Sequence, residues 1–224
     1  MQFKSKWINP EPLLEDESKY DSSIKHRIPL KPRVDAVLKR IDFQISKLEI
    51  IANDLKSNDY EIFRNAMSLV KENNSEHARV YLSDLMQIRK ISKTVVLSKI
   101  VFENLKIQLN TISSIVDLVS LLSPMIAVVK NIRSSLIPYI PESEGEVGEI
   151  SELLGGILID AGQVGSYVIN FEAANEKALH IINEVLIFVE QKIKQEFPIL
   201  TALESISSQR DDMDIHYNQH TQYK

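Results

Sequence analysis

No glycine occurs in the first 144 residues of this 224-residue chain, and all six glycines (Gly145, Gly148, Gly155, Gly156, Gly162 and Gly165) fall within the 21 residues that follow. Glycine marks tight turns, bulges and phosphate-binding loops because it alone adopts positive φ without steric cost. So long a stretch without it argues against a glycine-punctuated sandwich, barrel or nucleotide-binding α/β fold over the first two-thirds of the chain. A protein of long helices remains. With 44% hydrophobic and 25% charged residues the chain can bury a core.

The absence of cysteine removes thiol catalysis, thiolate metal sites and disulfides together. The longest apolar region, Ile115 to Val129, is interrupted by Asp117, Ser120, Ser123 and Pro124. It falls short of the roughly 20 residues a membrane-spanning helix needs. Met1 to Pro10 lacks the apolar core of a signal peptide. The expectation is a soluble, cytoplasmic protein whose membrane contact is peripheral. No glycine loop follows a strand, and no histidine adjoins a nucleophile at a helix start, so no catalytic residue and no cofactor is expected. His216 and His220 have i, i+4 spacing but no supporting carboxylate or cysteine, so no metal site is expected.

From Val34 the apolar residues step by four and three: Val34, Leu38, Ile41, Ile45, Leu48, Ala52, Leu55, then, past a polar Asp59, Ile62, Ala66 and Leu69. This heptad stripe predicts a helix of about 40 residues, roughly 60 Å long. Pro32 precedes it, and Asn73-Asn74-Ser75 ends it with turn formers and an N-cap. A second stripe runs through Ala78, Tyr81, Leu85, Ile88, Val95, Ser98, Phe102, Leu105, Leu109, Ile112, Val116 and Val119. Two such helices joined by a short turn bury both stripes only as an antiparallel hairpin. The expected fold is all-α and elongated: a long hairpin followed by short helices. Val96, Leu97, Ile100, Val101 and Ile107 lie off the main stripe and call for cover from later segments or another subunit.

Pro124 is expected to break or kink the second helix, with a shorter one over Met125 to Leu136. The expected organisation is an N-terminal membrane-contact segment and linker (1–32), a hairpin core with a short following helix (33–136) and an acidic Pro/Gly linker (137–146). After these come an assembly helix (147–160), a C-terminal amphipathic helix (161–200) and a polar disordered tail (201–224). The last helix carries the stripe Phe171, Ala174, Ala178, Ile181, Val185 and Phe188. Charge divides unevenly: residues 1–135 hold 21 basic and 16 acidic residues (+5), and residues 136–224 hold 5 and 15 (−10). A basic half implies an anionic partner. With no helix-turn-helix, aromatic-basic platform or zinc finger legible, an anionic lipid surface fits at least as well as nucleic acid; a nucleic-acid-binding helical protein rests only on the basic half, and no nucleic-acid partner is expected.

The run Ala78-Arg79-Val80-Tyr81-Leu82-Ser83-Asp84-Leu85-Met86-Gln87-Ile88-Arg89-Lys90 resembles the A-R-x-Y-x-x-(E/D)-x-x-x-I-R-K signature at the start of the second long helix of ESCRT-III proteins. Glu146-Val-Gly-Glu-Ile-Ser-Glu-Leu-Leu-Gly-Gly-Ile-Leu158 resembles the fifth-helix segment of their archaeal branch, the CdvB family of cell-division proteins. With the hairpin, the resemblance covers about residues 33 to 160. It implies a subunit that polymerises with itself and with paralogous ESCRT-III subunits into membrane-remodelling filaments, for cytokinesis or vesicle budding, at the division-site membrane. It also implies an AAA ATPase of the CdvC type whose MIT domain disassembles the filament by binding short motifs in the subunit.

Four groups of residues carry these expectations. Phe3, Lys4, Lys6, Trp7 and Ile8 form a one-to-two-turn amphipathic anchor, with an aromatic edge for the headgroup boundary beside lysines for anionic lipid. Arg89, Lys90, Lys93, Lys99 and Lys106 place five cations on the second helix as a lipid or inter-subunit surface. The bland alternative is that they pair with the first helix's acids; a third is that they hold Glu142, Glu144, Glu146 and Glu149 in a closed, unassembled state. Ile137, Pro138, Ile140 and Pro141, in Ile137-Pro-Tyr-Ile-Pro141, fit the apolar-Pro-x-apolar-Pro core of an extended MIT-binding motif. Val147, Ile150, Leu153, Leu154 and Ile157 give the assembly helix its apolar face. The competing functional reading is a soluble coiled-coil adaptor that binds partner helices without polymerising.

Overall fold

A computed structural model describes residues 30–72, 74–112, 114–165 and 171–197. The expectations for Phe3, Lys4, Lys6, Trp7 and Ile8, and for the tail 201–224, lie outside the described residues. The described elements are five helices: α1 (Leu30–Lys71), α2 (Ser75–Asn110), α3 (Ile115–Leu136), α4 (Ser143–Gly165) and α5 (Phe171–Glu196). There is no strand among the described residues.

The described residues form two compact units. The first holds α1 up to Glu49, α2 from Ser98, all of α3 and α4, and α5 up to Val185. Within it Asp42 and Glu49 of α1 meet Lys106 and Lys99 of α2, an order that reverses along the chain, so the helices run antiparallel. Its core is dense: Ile41, Leu48, Phe102, Leu105, Leu118, Leu122, Met125, Ile132, Leu136, Ile150 and Leu154 are all fully buried. The second unit holds α1 from Ile50, α2 up to Leu97 and α5 from Leu186. Its core is thin by comparison, with Leu85 its one large, fully buried side chain among the described residues. Ala66, Ala78, Ser92, Val95 and an ion pair are also buried in this unit.

The turn at Asn74 is where the sequence places it. The Asn74 carbonyl accepts from Ala78 N–H at 3.1 Å, and its Oδ1 lies 3.4 Å from His77 N–H and 2.9 Å from the His77 ring. The far end of α2 is a correction. The helix stops at Asn110, with Thr111 N–H and hydroxyl both turned back on the Gln108 carbonyl. Ser114 then caps α3: its Oγ accepts from Asp117 N–H at 3.0 Å and donates to the Asp117 carboxylate at 2.5 Å. This Ser-x-x-Asp box ends the second long helix earlier than apolar periodicity alone predicts.

Pro124 breaks nothing; it lies inside α3. Its missing N–H removes the usual intrahelical donor to the carbonyl of Ser120, an exposed position. Burial of Leu118, Leu122, Met125 and Val128 on either side carries the helix through. The linker expected over 137–146 is a tight turn at 137–142, and residues 143–146 are the first turn of α4. Tyr139 and Ile140 N–H groups share the Leu136 carbonyl, at 2.9 and 2.8 Å, while Ser143 donates N–H and hydroxyl to the Ile140 carbonyl, at 3.0 and 2.6 Å. Gly145, expected in that linker, lies within α4 with the other five glycines. On α5, Val189 is buried and Phe188, expected on the buried stripe, is exposed.

Candidate functional site

The face of α4 expected to mediate assembly is inward in this structure. Val147, Ile150, Leu154 and Ile157 are fully buried, Leu153 is half-buried, and α4 packs on α3. The remainder of α4 is acidic, and its carboxylates meet cations of α1 in the same unit. Arg33 pairs with Asp160, Arg40 with Glu149, and Lys47 Nζ lies 2.9 and 3.1 Å from the two Glu146 oxygens. Gln44, buried on the apolar side of α1, donates to Glu146 at 2.8 Å. This hydrogen bond, more than the Lys47 charge, holds the Glu146 carboxyl below its ordinary value of 4.5, against an opposing effect of partial burial. Glu144 pairs with Arg133 of α3 at 3.1 Å.

Acidic α4 thus does meet cations, but those of α1 and α3 rather than the α2 set that the sequence singles out. The signal was present: Arg33, Arg40 and Lys47 stand at heptad spacing beside the α1 stripe. Two glycines make room for this face. A Cβ on Gly156 would stand 2.6 Å from the Arg33 guanidinium, which crosses α4 there to reach Asp160, and a Cβ on Gly148 would touch Arg133.

The five α2 cations are largely engaged within the chain. Lys106 pairs with Asp42 at 2.5 Å and Lys99 with Glu49, both in the first unit. In the second unit Lys93 pairs with Glu190 of α5 at 2.7 Å, and its hydrogen bond and charge hold the Glu190 carboxyl below its ordinary value. Arg89 is no surface cation. Its side chain is 10% exposed, with Nε and Nη2 at 2.7 and 3.2 Å from the two oxygens of Asp59, itself 7% exposed. Nη1 donates to the Phe197 carbonyl at 3.4 Å, and the Phe197 ring centroid lies 5.2 Å from the guanidinium carbon. The polar interruption at Asp59 in the α1 stripe is therefore a built ion pair in the core of this unit. Lys90 is exposed. The alternative in which these cations pair with the first helix's acids holds for Lys106, Lys99 and Arg89.

Ile137, Pro138, Ile140 and Pro141 form the α3–α4 turn, with Ile140 buried, so the segment is not an extended strand here. Among the described residues no group of three or more acidic, histidine or cysteine side chains is placed to hold a metal ion. Nor is any described helix long and apolar enough to cross a membrane.

Two long helices followed by shorter ones, with no strand among the described residues, constitute an ESCRT-III-like fold. No family model matches the chain, and no solved structure does. It is similar to Cell division protein B1 of Sulfolobus acidocaldarius, with 28% identity over 178 residues, covering 80% of this chain and 83% of that protein. It is also similar to Cell division protein B of the same organism, with 19% identity over 181 residues, covering 81% and 69% respectively. Both matches support a CdvB-family protein.

Proposed function

We propose that this chain is an ESCRT-III-type subunit with a role in cell division, one that polymerises on membranes and helps to constrict and sever them. The observation that carries the reading is similarity to two cell-division proteins over four-fifths of the chain. Large apolar side chains left uncovered on the hairpin helices, Phe43 and Ile107 in one unit and Ile50 and Tyr60 in the other, support a surface that neighbouring subunits cover. In this reading paralogous subunits join the polymer, and Phe3, Lys4, Lys6, Trp7 and Ile8 anchor it peripherally to anionic lipid. Each lysine adds about 1 kcal/mol at such a surface, so one copy binds weakly and a filament binds firmly. The face of α4 serves assembly only after leaving α3. Likewise an ATPase MIT domain docks on Ile137 to Pro141 only once the α3–α4 turn opens and Ile140 is uncovered.

Negative-stain microscopy of the purified chain with and without anionic liposomes, beside a Phe3→Ala, Trp7→Ala variant, tests the proposal. Filaments on liposomes with the parent chain and none with the variant are expected. A monodisperse species that ignores lipid would overturn the reading in favour of a soluble adaptor.

A further inference from the structure

A heptad stripe repeats, and a repeat does not by itself say which turn of one helix faces which turn of the other. The outer ion pairs of the hairpin share this ambiguity. Asp42 and Glu49 stand one heptad apart on α1, and their partners Lys106 and Lys99 stand one heptad apart on α2. Sliding the helices by one heptad breaks both of these pairs and makes a new one, with Asp42 facing Lys99 in one direction and Glu49 facing Lys106 in the other. Such a slide moves the connecting turn by half a heptad along the chain without lengthening it. Loop length does not forbid it, and what opposes it at the turn is only the loss of the Asn74 cap.

Asp59 and Arg89 behave differently. In the first slipped register Asp59 would face Leu82 and Arg89 would face Ala52; in the second they would face Val96 and Ala66. Either way two charges are buried with no counter-charge, whereas in the observed register both carboxylate oxygens are paired and all three guanidinium nitrogens have a partner. We infer that the Asp59–Arg89 pair selects the pairing register of this hairpin, contributing specificity against slipped pairings rather than net stability. A buried ion pair is about neutral in stability relative to well-packed apolar side chains, and is heavily destabilising when only one partner is present.

The chain has no cysteine, so paired cysteines report register without background. Asp42→Cys with Lys106→Cys reads the observed register; Asp42→Cys with Lys99→Cys, and Glu49→Cys with Lys106→Cys, read the slipped ones. The probe is a bis-maleimide too short to span the extra heptad, which is about 10 Å along a helix. In the parent chain the observed-register cross-link is expected to exceed the slipped ones by at least about tenfold, and in Asp59→Leu, Arg89→Leu the ratio is expected to fall to within about threefold. An unchanged ratio in that variant overturns the inference. Circular dichroism checks that the variant is folded. If the leucines overpack, Asp59→Ala with Arg89→Ala is read by the same cross-links with the same two outcomes.

Discussion

Asp59 interrupts an otherwise apolar stripe, and an isolated acid at such a position reads equally as a solvated flaw or as half of a pair. Arg89, thirty residues away, decides the matter, and it does so only across the fold. Asp59→Ala leaves the guanidinium buried with its principal counter-charge gone. A loss of about 3–5 kcal/mol in urea unfolding is therefore expected. By contrast Lys93→Ala removes a solvent-exposed pair with Glu190, and its expected cost in the same measurement is small beside that of Asp59→Ala. At Glu146 the folded state lowers the carboxyl's proton affinity, chiefly through the Gln44 hydrogen bond. A carboxyl lowered on folding contributes stability that is fully present above its ordinary value of 4.5 and is lost as pH falls through the folded value. Thermal midpoints recorded from about pH 7 down to about pH 3 are therefore expected to fall less steeply below 4.5 in Gln44→Leu than in the parent. Equal slopes would mean that Gln44 does not tune this group.

At the scale of elements, the boundaries that hydrophobic period alone misplaces are set by polar details. The stripe of α2 continues in sequence through Ile112, Val116 and Val119, yet the helix ends at Asn110 because Ser114 and Asp117 satisfy the first donors of a new one. Ser114→Ala is expected to cost about 1 kcal/mol, and Ser114→Thr much less, measured by chemical denaturation. Pro124 and the glycines of α4 err the other way: each reads as a breaker and each lies in a helix. Isolated propensity counts about 1 kcal/mol against a helical glycine and about 3 kcal/mol against a proline. Burial of Leu122, Met125, Ile150 and Leu154 exceeds those penalties, and Gly156 is further favoured by the guanidinium above it. The Pro-x-Ile-Pro segment reads as an extended recognition strand because proline pre-sets such a backbone, but burial of Ile140 folds it into a turn.

For the molecule as a whole, the two units differ in what holds each together. The first is closed by large aliphatic side chains and Phe102, the second by Leu85, small residues and the Asp59–Arg89 pair. Local stability follows buried apolar contact, so backbone amides of residues 50–71 and 75–97 are expected to exchange hydrogen faster than those of 98–110 and of α3 and α4. Exchange followed by mass spectrometry checks this, and equal protection would contradict it. The all-helical class, the two long helices and the turn between them were determined by the sequence alone, because heptad periodicity, an Asn cap and the missing glycines are local properties that need no partner to act. The residues Val34, Ile41, Leu48, Ala66, Leu85, Phe102 and Leu105 were legible as core for the same reason. Tertiary structure alone decided which charges are free and which are paired, that α4 offers its acids to Arg33, Arg40 and Lys47, and that its apolar face lies inward on α3. Pairing and burial are relations between segments far apart in the chain, and the free energy that selects among them exists only once those segments have met.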